Sequence, residues 1–277
     1  MGLSRLSLPL SALELQPLPD KAKLMPLDVD AYLDRIGYEG PSDPSPQTLR
    51  DLQVAHLRTV PFENLSIHSN EPIVLDDAAL FEKVVQRRRG GFCYELNGLF
   101  AALLRSLGFE VEMLAAAVGR STGGFSHDLD HMTLLVKLEQ RWIADVGFGD
   151  SFTEPLLLDE PGEQTQGARA YKFISDDEHR VLMQRNYDGT WVPQYRFTLQ
   201  PHVYADYEER CKYQQTSPES HFTQGRICTR ATATGRVTLS GLRLITTRNA
   251  GERAEEDLAG EDEYTAALRE HFGIVMS

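Results

Sequence analysis

The spacing of apolar positions changes once along the chain, from a helical period to a strand period. Between Asp30 and Leu107 the signals are helical. Ser45-Pro46 supplies a capping residue and a first-turn proline ahead of Leu49, Leu52 and Leu57. Asp76 can cap a helix with Leu80, Phe81, Val84 and Val85 on its apolar face, closing on Arg87-Arg88-Arg89 and Gly90-Gly91. Leu96, Leu99, Phe100, Leu103, Leu104 and Leu107 form one clean helical stripe that Gly108 ends.

Beyond Gly108 the period shortens to two. Val111, Met113 and Ala115 alternate, and Met132–Leu138 with Arg141–Val146 reads as a hairpin. Further strands are expected at Tyr171–Ile174, Val181–Arg185, Trp191–Leu199 and Val237–Thr247, the last punctuated by Gly241. Tyr204–Phe222 reads as helical or irregular, residues 250–263 as acidic and solvated, and Glu263–Phe272 as a short final helix. The chain therefore predicts an α+β protein divided at 1–27 (an N-terminal extension), 28–108 (helical), 109–205 (mostly β) and 206–277 (mixed).

Composition narrows the function. Hydrophobic residues make up 41% and charged residues 25%, as in a globular protein with a real core, and the formal net charge is -13. That field argues against nucleic-acid or anionic-membrane partners. No run approaches the roughly 20 apolar residues of a membrane span. The first residues fit neither a signal peptide nor a myristoylation site, so a soluble cytoplasmic protein is expected. Three cysteines, Cys93, Cys211 and Cys228, make no disulfide framework, and no zinc-ligand spacing occurs; no metal is expected.

Cys93 is the first candidate for chemistry. It sits in Arg89-Gly-Gly-Phe-Cys-Tyr-Glu-Leu-Asn97, directly before the strongest helix. Two glycines allow a sharp turn and close approach. A helix N-terminus lowers a thiol pKa and offers backbone N–H groups to an oxyanion. A thiolate needs a base, and the base an orienting group. His131 opens one strand of the hairpin and Asp145 lies in the other. A two-residue loop would put them on opposite faces. A three-residue loop, Leu138–Gln140, pairs Lys137 with Arg141 and makes Asp145 a diagonal neighbour of His131, about 7–8 Å away between Cα atoms. A Cys93–His131–Asp145 triad thus requires an odd loop or a bulge.

With Arg89–Asn97, His131-Met-Thr-Leu-Leu-Val136 and Ala144-Asp-Val-Gly-Phe-Gly149 in view, the chain resembles the arylamine N-acetyltransferases. Val60–Leu65, Tyr195–Leu199 and Thr216–Phe222 match as well, so the likeness covers roughly residues 28–275. It implies an N-terminal helical bundle, a central β-barrel and a C-terminal α/β lid around a cysteine-protease-like triad. It also implies acetyl-CoA as acyl donor and an arylamine or hydrazine as acceptor, with Cys93 as nucleophile, His131 as base and Asp145 as orienter. Thr216 and Ser217 are the implied coenzyme contacts. An apolar acceptor pocket is expected to include Phe125 and Phe197. Arg87–Arg89 could add positive potential or simply cap a helix. The chain departs from many relatives at Asp130, where a small or apolar residue is common, and at Cys211-Lys212, where Asn-Trp is common. An amide synthase and a cysteine hydrolase are the alternative uses of such a triad.

Overall fold

The computed structural model describes residues 27–176, 178–248 and 251–276, so the N-terminal extension lies, but for Leu27, outside the described residues. The helical part comprises α1 (Val29–Ile36), α2 (Pro46–Thr59), a two-residue strand β1 (Phe62–Glu63), α3 (Leu65–His68), α4 (Asp77–Phe81) and α5 (Cys93–Ser106). The caps are those the sequence proposes: Ser45 Oγ accepts from Thr48 N–H, and Asp76 Oδ1 from the N–H groups of Ala78 and Ala79. The helix expected through Val85 changes character, because α4 passes into a π-helical turn over Glu82–Gln86. Arg88 then takes a left-handed φ of 53°. The helix closes on the tripeptide Arg87–Arg89 as expected, with Arg87 at its C-cap donating its N–H to the Glu82 carbonyl, and the bend follows directly. Every residue of α5 from Cys93 to Leu104 is buried, which makes it the axis of the core.

Eight strands follow: β2 (Glu110–Val118), β3 (His131–Lys137), β4 (Arg141–Ala144), β5 (Leu156–Leu157), β6 (Gln164–Gln166), β7 (Arg169–Asp176), β8 (His179–Arg185) and β9 (Trp191–His202). They form one antiparallel sheet in the order β5-β4-β3-β2-β9-β8-β7-β6. This sheet curls into a nearly closed barrel whose seam is bridged by side chains. Gln164 Oε1 accepts from Leu157 N–H (2.7 Å) and its Nε2 donates to the Leu157 carbonyl (2.9 Å). Gln166 Oε1 accepts from the N–H groups of Thr153 and Glu154, and its Nε2 donates to the Glu154 carbonyl (2.7 Å). The barrel interior holds Leu114, Leu135, Ile143, Tyr171, Leu182, Tyr195 and Phe197.

After α6 (Tyr204–Thr216) and α7 (His221–Gln224) come β10 (Ile227–Thr232), β11 (Gly235–Ser240), β12 (Arg243–Arg248), β13 (Arg253–Asp257) and α8 (Glu261–Phe272). The strand expected over Val237–Thr247 is instead the β11–β12 hairpin, turning at Gly241 with φ 56°. The acidic stretch is solvated, as every residue of β13 is exposed, yet it pairs with β12. β1 pairs with β10, so the five-stranded sheet β1-β10-β11-β12-β13 is stitched to the turn that precedes α5. The α+β class and nearly closed barrel match the expectation.

Candidate active site

The turn before Cys93 is built on close approach. A Cβ at Gly90 would stand 1.9 Å from the Pro61 carbonyl oxygen, and one at Gly91 2.7 Å from Glu95 Oε2. Neither glycine needs a left-handed φ; both need the missing side chain. Two buried ion pairs support the turn, Lys83–Glu95 at 2.6 Å and Arg89–Glu63 at 2.8 Å. Glu95 also accepts from Phe92 N–H (3.0 Å), closing the helix start from below. Arg89 is therefore committed to the scaffold, and Arg87 pairs with Glu71 at 2.5 Å.

Cys93 occupies the first position of α5, only 3% exposed. The backbone N–H groups of Met132 and Tyr94 face its sulfur and favour the thiolate. Burial outweighs them, and with the nearby Asp145 carboxylate it pushes the thiol well above its ordinary range. The lowered pKa expected from the helix N-terminus is thus not that of the closed, resting site.

The hairpin has the register that the triad requires. Lys137 pairs with Arg141 and Leu134 with Ala144, across the three-residue loop Leu138–Gln140. Strand β4 ends one residue before Asp145, earlier than expected, because the Asp145 N–H turns to Gln53 Oε1 on α2 (3.1 Å). His131 Nε2 and Asp145 Oδ2 are 2.7 Å apart, both residues buried. Asp145 Oδ1 accepts from Asn97 Nδ2 (2.8 Å) and Gly147 N–H (2.9 Å). Asn97 also donates to the Met132 carbonyl (2.6 Å) and accepts from Val146 N–H (2.8 Å), tying α5 to both hairpin strands. Gly147 backs onto Cys93: a Cβ there would lie 2.8 Å from Cys93 Cα. The His131 ring is flanked by Phe148 (5.2 Å, edge-on) and Tyr195 (5.0 Å).

An N-acetyltransferase family pattern matches residues 46–277. An arylamine N-acetyltransferase of Mycolicibacterium smegmatis is 37% identical over 90% of this chain and 93% of its own. The solved Mycobacterium marinum arylamine N-acetyltransferase in complex with CoA superposes with a TM-score of 0.83 at 32% identity, covering 89% of this chain and 93% of that one. A proansamycin X synthase of Amycolatopsis mediterranei is 32% identical over 87% of this chain and 95% of its own. The chain belongs to the arylamine N-acetyltransferase family.

As an arylamine N-acetyltransferase family member, an acyltransferase, it places the remaining predicted residues unevenly. Phe197 lies inside the barrel, 1% exposed, one ring removed from His131 through Tyr195. The aromatic rings packed directly on His131 are those of Phe148 and Tyr195. Phe125 is half-buried in the mostly exposed 119–127 loop, under the Arg196 guanidinium at 5.0 Å. Thr216 and Ser217 end α6; Thr216 Oγ1 bonds back to the Lys212 carbonyl (2.8 Å), and Ser217 Oγ accepts from Glu219 N–H (3.2 Å). Each hydroxyl is turned to nearby backbone, Thr216 within α6 and Ser217 in the loop after it. Asn97 and Gln53 were assigned no role from sequence. Asn97 had a signal, a polar residue four positions after Cys93 within an apolar stripe; Gln53, on a distant helix, had none. Among the described residues no group of His, Cys, Asp and Glu is arranged to hold a metal ion, and no helix is long and apolar enough to cross a membrane.

Proposed function

We propose that the protein transfers an acetyl group from acetyl-CoA to the nitrogen of an arylamine or hydrazine, by way of an acetyl-Cys93 thioester. The supporting observation is the coupling of His131 to Asp145 at 2.7 Å beside a cysteine at a helix N-terminus. Nε2 is engaged by Asp145, which leaves Nδ1 to take the thiol proton and holds the resulting imidazolium next to a carboxylate. The sulfur attacks the thioester carbonyl, the carbon–sulfur bond to coenzyme A breaks, and the coenzyme leaves as its thiol with that proton. One thioester replaces another, so the step is nearly balanced in energy. The neutral amine then attacks acetyl-Cys93; its nitrogen forms the amide, its proton passes to His131, and the sulfur leaves. The backbone N–H groups at the start of α5 are suited to hold the intermediate's oxyanion. Coenzyme A in the M. marinum relative supports the donor.

Intact mass after brief exposure to acetyl-CoA tests this reading. A single acetyl adduct, absent from Cys93→Ala and discharged by 4-aminosalicylate, is expected. A thiol that alkylates normally but gains no acetyl group would remove acetyl-CoA as donor.

A further inference from the structure

The turn that delivers His131 is gripped from two sides. From α5, Tyr94 Oη donates to the Leu129 carbonyl (2.5 Å), the Cys93 thiol points to the Asp130 carbonyl (3.8 Å), and Asn97 Nδ2 reaches the Met132 carbonyl (2.6 Å). From α6, Arg210 Nε and Gln214 Nε2 (2.9 Å) both donate to Asp130 Oδ1. Asp130 Oδ2 accepts from His127 N–H (3.1 Å), while Asp130 N–H returns to the His127 carbonyl (2.9 Å). Gln214 Oε1 accepts in turn from Ser220 Oγ (2.6 Å), and that hydroxyl oxygen accepts from Phe222 N–H (3.2 Å). The Phe222 ring packs on Phe92, the residue before Cys93, at 5.4 Å. The Asp130 and Arg210 side chains are 11% and 19% exposed, unlike a solvated surface pair.

Resting on the reading of Cys93 as the acylated nucleophile, we propose that Asp130 is a positioning residue. Its carboxylate, clamped by Arg210 and Gln214, fixes the 127–131 turn so that the Asp130 carbonyl lies against the sulfur and His131 enters β3 at the height of Asp145. The cluster also makes α6 and the 216–222 loop part of the same mechanical unit as the nucleophile.

Positioning and direct charge make opposite predictions for Asp130→Ala and the same one for Arg210→Ala. The titratable groups around Cys93 are Asp145 with its partner His131, Cys211, Tyr94, Tyr207 and the Asp130–Arg210 pair. Arg210→Ala leaves an uncompensated carboxylate near the sulfur, and Asp130→Ala an uncompensated guanidinium. Acting through charge, the first raises and the second lowers the pH midpoint of Cys93 alkylation by iodoacetamide. Acting through position, both raise it, because both loosen the imidazole that stabilises the thiolate.

The experiment measures that midpoint and the single-turnover rate of Cys93 acetylation by acetyl-CoA in Asp130→Ala, Arg210→Ala and the double variant, with thermal unfolding alongside. Both midpoints should rise, each single variant should acetylate at least about 10-fold more slowly, and the double variant should be no worse than about 3-fold below either. Opposite midpoint shifts, unchanged rates in folded variants, or effects that multiply would overturn the proposal. If Asp130→Ala does not fold, Gln214→Ala breaks the same cluster from α6 and is held to the same criteria. Should wild type resist acetylation by acetyl-CoA altogether, the donor reading fails, while the alkylation midpoints still decide the role of Asp130.

Discussion

Removing the Asn97 side chain should damage the scaffold more than its uncharged character suggests. Its amide is fully buried and makes three short hydrogen bonds, to the Met132 carbonyl, Asp145 Oδ1 and Val146 N–H. Asn97→Ala leaves a buried carbonyl, a buried N–H and one oxygen of a buried carboxylate each short of a partner. An orphaned buried group costs about 1–3 kcal/mol, more where charge is involved, and a water admitted to the vacated space recovers part. The total is about 3–6 kcal/mol, a large share of the roughly 5–15 kcal/mol that holds a domain together. For a chain of this size that lowers the melting temperature by about 6–20 °C. Asp145 would keep His131 Nε2 and Gly147 N–H, so the imidazole retains its tautomer and loses only rigidity. Acetylation of Cys93 should therefore slow by about 10–100-fold, less than on loss of the carboxylate itself. Thermal unfolding and single-turnover acetylation measure the two effects. A variant within about 1 kcal/mol of wild type would show that water replaces the amide fully, and the reasoning would fail.

Asp145→Asn keeps the shape but cannot stabilise an imidazolium, and a loss of about 10³–10⁴-fold in single-turnover acetylation is expected, with stability affected far less. His56 is buried against Tyr32 Oη (2.9 Å) and burial pulls its pKa down to about 3. The unfolded chain thus binds the extra proton, and stability present above pH 6.5 should be lost as pH falls toward 3, by up to about 4 kcal/mol. Denaturant unfolding across that range should show the slope, and His56→Gln should flatten it; an unchanged slope would exclude His56 as its source. Burial pushes Cys211 up to about 12. Here the folded chain holds the proton more tightly, so stability should decline from about pH 9 upward, and less steeply in Cys211→Ala under the same titration.

How far the sequence reached depended on whether a signal was local. The cap residues Ser45 and Asp76 act within three residues of themselves, and the hairpin register follows from strand parity, so these were legible. Phe148 and Tyr195 lay inside recognised motifs, but only the fold turns their rings to His131. Strand β13 carries no apolar alternation because all its residues are exposed, and only pairing with β12 makes it a strand. Gln53 meets Asp145 across 92 positions, and Arg210 meets Asp130 across 80. No window along the chain contains such pairs. The partners of the Arg87–Arg89 run were hidden for a related reason: Arg89 and Arg87 find Glu63 and Glu71 only once the 62–71 segment folds back over the bend.

The glutamine seam of the barrel has a consequence for edges. Strands β5 and β6 would otherwise present a row of open amides, the template on which another chain can add a strand. Gln164 and Gln166 each carry a side-chain amide with the donor and acceptor pattern of a peptide group, and they cover that row without fixing a strand register. The exposed 159–163 segment between the two strands makes no ladder pairs and is tied to the sheet only by side chains, Asp159 to Arg141 and Glu163 to Arg185. Residues could be inserted there without sliding any strand, while replacing both glutamines would expose a sticky margin on which another chain could add a strand.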